Sequence, residues 1–160
     1  LSKRFFVPFA AVLASALLVA GCGGSSNDST DTTSALTKQQ FIAQADAICK
    51  QGNEEIEEGF ESFAEQNDIP KNQEPSKAQG KEIVETVIVP SIGSQAEGIR
   101  ALGFPSGDED ELSAMLDSLD EAVEEAEEDP EALFAAKSDP FAKPNELAQD
   151  YGLKTCGDEE

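Results

Sequence analysis

The chain is 160 residues long, the length of one domain, and sets 11 Lys and Arg against 33 Asp and Glu, a formal net charge of -22, with no His and no Trp. So acidic a balance repels phosphate backbones, whose binding depends on Lys and Arg releasing counterions, and a nucleic-acid partner is not expected. Without histidine there is no imidazole acid/base, no triad base and no imidazole metal ligand; 3 cysteines are too few for a four-thiolate zinc site.

The N-terminus carries the address. Lys3-Arg4 form a short cationic flank, and from Phe5 to Ala20 the residues are apolar or small, interrupted only by Pro8 and Ser15. That run is shorter than the roughly 20 residues of a membrane span. It ends in Leu18-Val19-Ala20-Gly21-Cys22 and passes at once into Gly23-Gly24-Ser25-Ser26-Asn27-Asp28-Ser29-Thr30. This resembles the bacterial lipoprotein signal peptide, with Val19-Ala20-Gly21-Cys22 matching its lipobox. The resemblance implies cleavage between Gly21 and Cys22, diacylglycerol and fatty acid such as palmitate on Cys22, and retention on the outer face of the cell membrane by a multi-chain anchor. An ordinary secretory signal with a chance cysteine, or an apolar core helix, is the plainer alternative; the hydrophilic stretch after Cys22 argues against the helix. Leu1 in place of Met fits an alternative start codon of a bacterial reading frame. Cleavage would remove Lys3 and Arg4 and take the balance to 9 minus 33, or -24.

The expected organisation is a signal peptide over 1–21, a lipidated cysteine and tether over 22–36, a helical domain over 37–156 and an acidic tail over 157–160. The tether has almost nothing to bury, and as a flexible coil it would set the domain about 20 Å from Cys22. Folding signals then begin abruptly. Thr37 and Gln40 make a T-x-x-Q capping box, with Leu36 and Phe41 placed as a hydrophobic staple. Phe41, Ala45, Ile48, Cys49, Ile56, Phe60 and Phe63 recur at intervals that, with glutamates on the other faces, predict an amphipathic helix from about 38 to 66.

Asn67 to Asn72 reads as a loop, because Pro70 pushes its predecessor out of helical geometry. A second capping box, Ser76 to Gln79, opens a helix carrying Ile83, Val84, Val87, Ile88, Ile92, Ala96, Ile99 and Leu102. Its β-branched stretch over 83–89 suits a strand as well, and Pro90 should kink or divide it. Ser106 and Glu109 suggest a third cap, followed by the stripe Leu112, Met115, Leu116, Leu119, Val123 and Ala126. Asp129-Pro130 and Asp139-Pro140 each place an N-cap before a first-turn proline, so the last helix should come in two pieces, ended by Gly152 and Leu153. With no period-two alternation, the fold class is all-α, a small bundle of about four helices.

If Cys22 is acylated, Cys49 and Cys156 remain, and in an oxidising compartment they would pair and close the bundle with one disulfide; two unpaired thiols are the alternative. The segments Phe41-Ile42-Ala43-Gln44-Ala45-Asp46-Ala47-Ile48-Cys49, Ile99-Arg100-Ala101-Leu102-Gly103-Phe104-Pro105 and Tyr151-Gly152-Leu153-Lys154-Thr155-Cys156 together resemble a group of small secreted actinobacterial lipoproteins. That resemblance implies the helical fold and the terminal disulfide, and no activity.

The conspicuous chemistry is acidic: residues 108–131 hold 13 carboxylates and no Lys or Arg. Calcium would want six to eight convergent oxygens, but no EF-hand pattern is present and a helix projects successive carboxylates in different directions, so a solvated face is the simpler reading. No G-x-S-x-G, S-x-x-K or phosphate-binding glycine loop occurs. Arg100 and Tyr151 stand out as functional-looking side chains, with a surface ion pair for Arg100 and a solvated hydroxyl for Tyr151 as the plainer readings. The expected function is a non-enzymatic binding or interaction module of the cell envelope, tethered through Cys22, with no catalytic residue, cofactor or metal, and an envelope protein or small ligand as partner. An Asp/Glu-dependent hydrolase acting on an envelope glycan is the alternative.

Overall fold

The computed structural model describes residues 35–130, 133 and 139–157. The expected signal peptide over 1–21, Gly21 and Cys22 of the expected lipobox and most of the expected tether lie outside the described residues, as do the helix piece expected after Pro130 and the end of the expected acidic tail. The described chain is all helical: α1 (Lys38–Gln66), α2 (Lys77–Ile83), a π-helical turn (Val84–Ile88), α3 (Val89–Ala101), α4 (Glu109–Glu128) and α5 (Ala142–Tyr151). Because α2, the π turn and α3 run on without a break, these make four rods. Cys49 and Cys156 are joined in a disulfide that closes the bundle.

Local hydrogen bonding explains where the first two rods begin. Thr37 Oγ1 accepts from Gln40 N at 3.3 Å and the Gln40 side chain accepts from Thr37 N at 3.0 Å, satisfying two otherwise orphaned donors. Ser76 and Gln79 repeat the arrangement at α2. The first rod ends at Asn67, after which Asp68 takes a left-handed conformation, φ 53°, and Ile69 N donates back to Ala64 O. Asp tolerates that conformation better than most side chains do.

The β-branched stretch is helical. Ahead of Pro90 the helix widens: Val89 N donates to Val84 O, five residues back. Proline has no N–H, and its ring crowds the carbonyl four residues earlier, so the added residue in the turn accommodates it without breaking the rod. Thr86 Oγ1 also donates to Glu82 O at 2.6 Å.

The third cap forms differently from the expectation. Asp108, not Ser106, precedes α4, no side chain caps the helix, and Glu109 instead accepts from Gly107 N at 2.6 Å. The α4 stripe is also rotated, burying Ser118 and Ala122 while Leu119 and Val123 are half-buried. Asp139 accepts from Phe141 N at 2.9 Å and ties a turn, so α5 begins at Ala142 rather than at Pro140. At the far end Gly152 adopts φ 110°, with Gly152 N bonded to Gln149 O and Leu153 N to Ala148 O, as the glycine-then-leucine pair predicts.

The main core joins Phe41, Ala45 and Cys49 of α1, Ala96 and Ile99 of α3, Leu112, Met115 and Leu116 of α4, and Ala148, Tyr151 and Leu153 at the chain's end. α1 packs chiefly on α3, and α4 on α5. Two glycines of α1 permit close approach to the second rod. A Cβ on Gly59 would stand 2.5 Å from Val87 Cγ1, and one on Gly52 would meet the side chain of Gln95. Between them Ser91 Oγ donates to Gly52 O at 3.1 Å, meeting the hydrogen-bonding need of a buried hydroxyl.

Candidate functional site

A cavity of about 300 Å³ opens where all four rods and the C-terminal segment meet. Helical spacing delivers its walls. Cys49, Asn53 and Ile56 line it from α1, Ile92, Gln95 and Ile99 from α3, Met115 and Leu119 from α4. These intervals of three, four and seven residues are those that keep side chains on one helix face. Pro144, Asn145 and Ala148 of α5 complete it with Asp139 and Phe141 of the preceding turn and Thr155 and Cys156 of the terminal segment.

The disulfide therefore borders the cavity, and the segment carrying Cys156 is held there by further bonds. Thr155 N donates to Asp46 Oδ1 at 2.9 Å, the Gln149 amide donates to Gly157 O, and Leu153 is fully buried. The polar side chains of the described lining are Asn53, Gln95, Asn145, Thr155 and Asp139, each bearing an oxygen acceptor, and among the described residues the lining contains no Lys or Arg. Asp139 spends one carboxylate oxygen on Phe141 N. A site of this composition can enclose an apolar body and accept hydrogen bonds from it.

Of the residues singled out from sequence, Cys49 and Cys156 line the cavity, while Arg100 and Tyr151 sit elsewhere. Arg100 donates to Asp120 Oδ2 at 2.6 Å and to Leu116 O at 3.4 Å, fastening α3 to α4; the ion pair is the expected one. Tyr151 corrects the expectation of a solvated hydroxyl. It is 2% exposed and donates to Asp108 Oδ2 at 2.7 Å. Phe41 meets its ring edge-on at 5.9 Å, and Lys38 Nζ lies 3.8 Å from the ring centroid. Burial pushes the phenol's pKa well above its ordinary value, reinforced by the hydrogen bond to Asp108 and by the negative charges of Asp108 and Glu111. Tyr151 is thus a buried core residue at the end of the bundle.

Among the described residues no group of three or more Cys, Asp or Glu converges in a metal-holding arrangement. None of their helices is long and apolar enough to cross a membrane. The lining amides were missed in the sequence, although a signal exists: Asn53 and Gln95 interrupt otherwise apolar faces, between Cys49 and Ile56 and between Ile92 and Ile99. Comparison of the chain with protein families, curated proteins and solved structures finds no match.

Proposed function

We propose that this protein is an extracytoplasmic lipoprotein, held on the outer face of the bacterial cell membrane through lipid on Cys22, whose helical bundle is a non-enzymatic binding module. The observation that carries the reading is the Cys49–Cys156 bridge. It uses two of the 3 cysteines and leaves Cys22, in Val19-Ala20-Gly21-Cys22, as the remaining thiol. A domain-closing disulfide also belongs to an oxidising compartment, which is where a lipobox would deliver the chain. The bundle's partner is another envelope component or a small ligand, with the four-rod cavity as its receptor site; no nucleic acid and no cofactor enters the proposal.

The hydrolase alternative needs two carboxylates about 5 to 9.5 Å apart across a cleft. The described cavity lining holds one, Asp139, which favours binding over catalysis. The anchor is tested by growing bacteria that express the full chain with labelled palmitate and measuring the intact mass of the product. The mature product should start at Cys22, carry label, and lose both label and membrane retention in Cys22→Ala. A chain that keeps residues 1–21 and three free thiols would overturn the proposal.

A further inference from the structure

We propose that the four-rod cavity is selective for a small amphiphilic cation, a protonated amine carried on an apolar body. This rests on reading the cavity as a binding site. Three observations converge on that class. The walls supply apolar surface from Ile92, Ile99, Met115 and Leu119, so a ligand with a hydrocarbon part gains by leaving water. The amides of Asn53, Gln95 and Asn145 make no hydrogen bond to described residues, and with Asp139 and Thr155 they offer acceptor oxygens to a ligand. An ammonium group is a donor only, with three N–H bonds to place; the amides and the Thr155 hydroxyl can accept them as well as donate, and the Asp139 carboxylate, the acceptor-only group of the described lining, tips the choice toward a cation.

Charge excludes the opposite class. Among the described residues the lining has a carboxylate and no basic group, within a chain of net charge -22, so a carboxylate or phosphate ligand would be repelled both locally and by the whole molecule. Asp139 is solvent-exposed, and one of its oxygens already holds Phe141 N. Its contact with an ammonium is therefore worth a modest factor, roughly three- to fivefold, and the apolar walls set the base affinity.

The probes are n-hexylammonium, 1-hexanol and hexanoate, matched in apolar body, with ethylammonium as the cation lacking that body. They are titrated into the full chain in nanodiscs of neutral phospholipid, with empty nanodiscs as the blank. Met115 is the sequence's sole methionine and lines the cavity, so its labelled methyl gives one site-specific NMR signal, assigned by its loss in Met115→Leu. Hexylammonium should shift that signal at the lowest concentration, hexanol several-fold less tightly, and hexanoate and ethylammonium not at all. Asp139→Asn should weaken hexylammonium by that roughly three- to fivefold factor while leaving hexanol unchanged. The proposal is overturned if hexanol binds as tightly as hexylammonium to the unmodified chain, if hexanoate binds, or if hexylammonium leaves the Met115 methyl unmoved. In those cases the labelled-palmitate result still stands or falls separately.

Discussion

Replacing both Cys49 and Cys156 by alanine asks how far the bundle depends on its one covalent closure. Alanine suits the first position because Cys49 is 3% exposed, and serine would bury a hydroxyl there. The bridge closes a loop of 107 residues, for which the chain-entropy relation gives about 4.8 kcal/mol lost from the folded state's advantage. Single domains hold about 5 to 15 kcal/mol in total, so the variant should be close to marginal. With a urea slope of about 2 kcal/mol/M, the unfolding midpoint should fall by about 2.4 M. Far-UV circular dichroism during urea titration reads this directly, and reduced wild-type protein should track the variant. The slope should rise slightly, since an uncrosslinked chain exposes more surface on unfolding. A midpoint lowered by under about 0.5 M would refute the reasoning. It would mean that Leu153 burial and the Thr155 to Asp46 bond hold the terminal segment on α1 unaided.

Two glycine substitutions should move stability in opposite directions. A Cβ on Gly93 meets nothing within 4 Å, so Gly93→Ala should stabilise by about 0.5 to 1 kcal/mol through helix propensity. Gly59→Ala meets the stiff β-branched Val87 at 2.5 Å and should destabilise by about 1 kcal/mol, the net of about 1 to 3 for overpacking against the same propensity gain. Urea midpoints moving the same way for both would contradict the packing described between α1 and the π turn. The chain has one tyrosine, so ultraviolet absorbance titration follows Tyr151 alone, and its phenolate should form only well above the ordinary value of 10. Because its folded-state pKa lies above the unfolded one, the associated stability is intact below about pH 10 and is lost as pH rises toward the folded value. A phenolate midpoint near 10 in folded protein would show the ring to be solvated. Tyr151→Phe should cost about 0.5 to 1.5 kcal/mol by removing the bond to Asp108, read as a lower urea midpoint at neutral pH.

Where a structural decision is made by neighbours in the chain, the sequence announces it. Thr37 with Gln40 and Ser76 with Gln79 bond across three residues, so the starts of α1 and α2 are legible, as is the stop at Gly152. The apolar spacing from Phe41 to Phe63 carries α1 to its observed end for the same reason. Cysteine counting, joined to the lipobox resemblance, pointed to the pairing of Cys49 with Cys156. The β-branched stretch was ambiguous because propensity alone separates helix from strand weakly. Packing against α1 and α4 accompanies its helical outcome, and Pro90 explains the widened turn.

Other decisions are made at long range. Ser106 and Glu109 have the spacing of a cap, yet α4 starts at Glu109 itself, preceded by Asp108, whose carboxylate is engaged by Tyr151, 43 residues further along. The burial of Tyr151, the anchoring of Arg100 across two helices and the meeting of Asn53, Gln95, Asn145 and Asp139 at one cavity depend on rods packed side by side. Sequence by itself determined the charge, the helical class and the capped starts of α1 and α2, because those follow from composition and from bonds that close within a turn. Tertiary structure alone decided which polar groups are spent inside the bundle and which face a cavity, because that depends on what distant segments bring to each side chain.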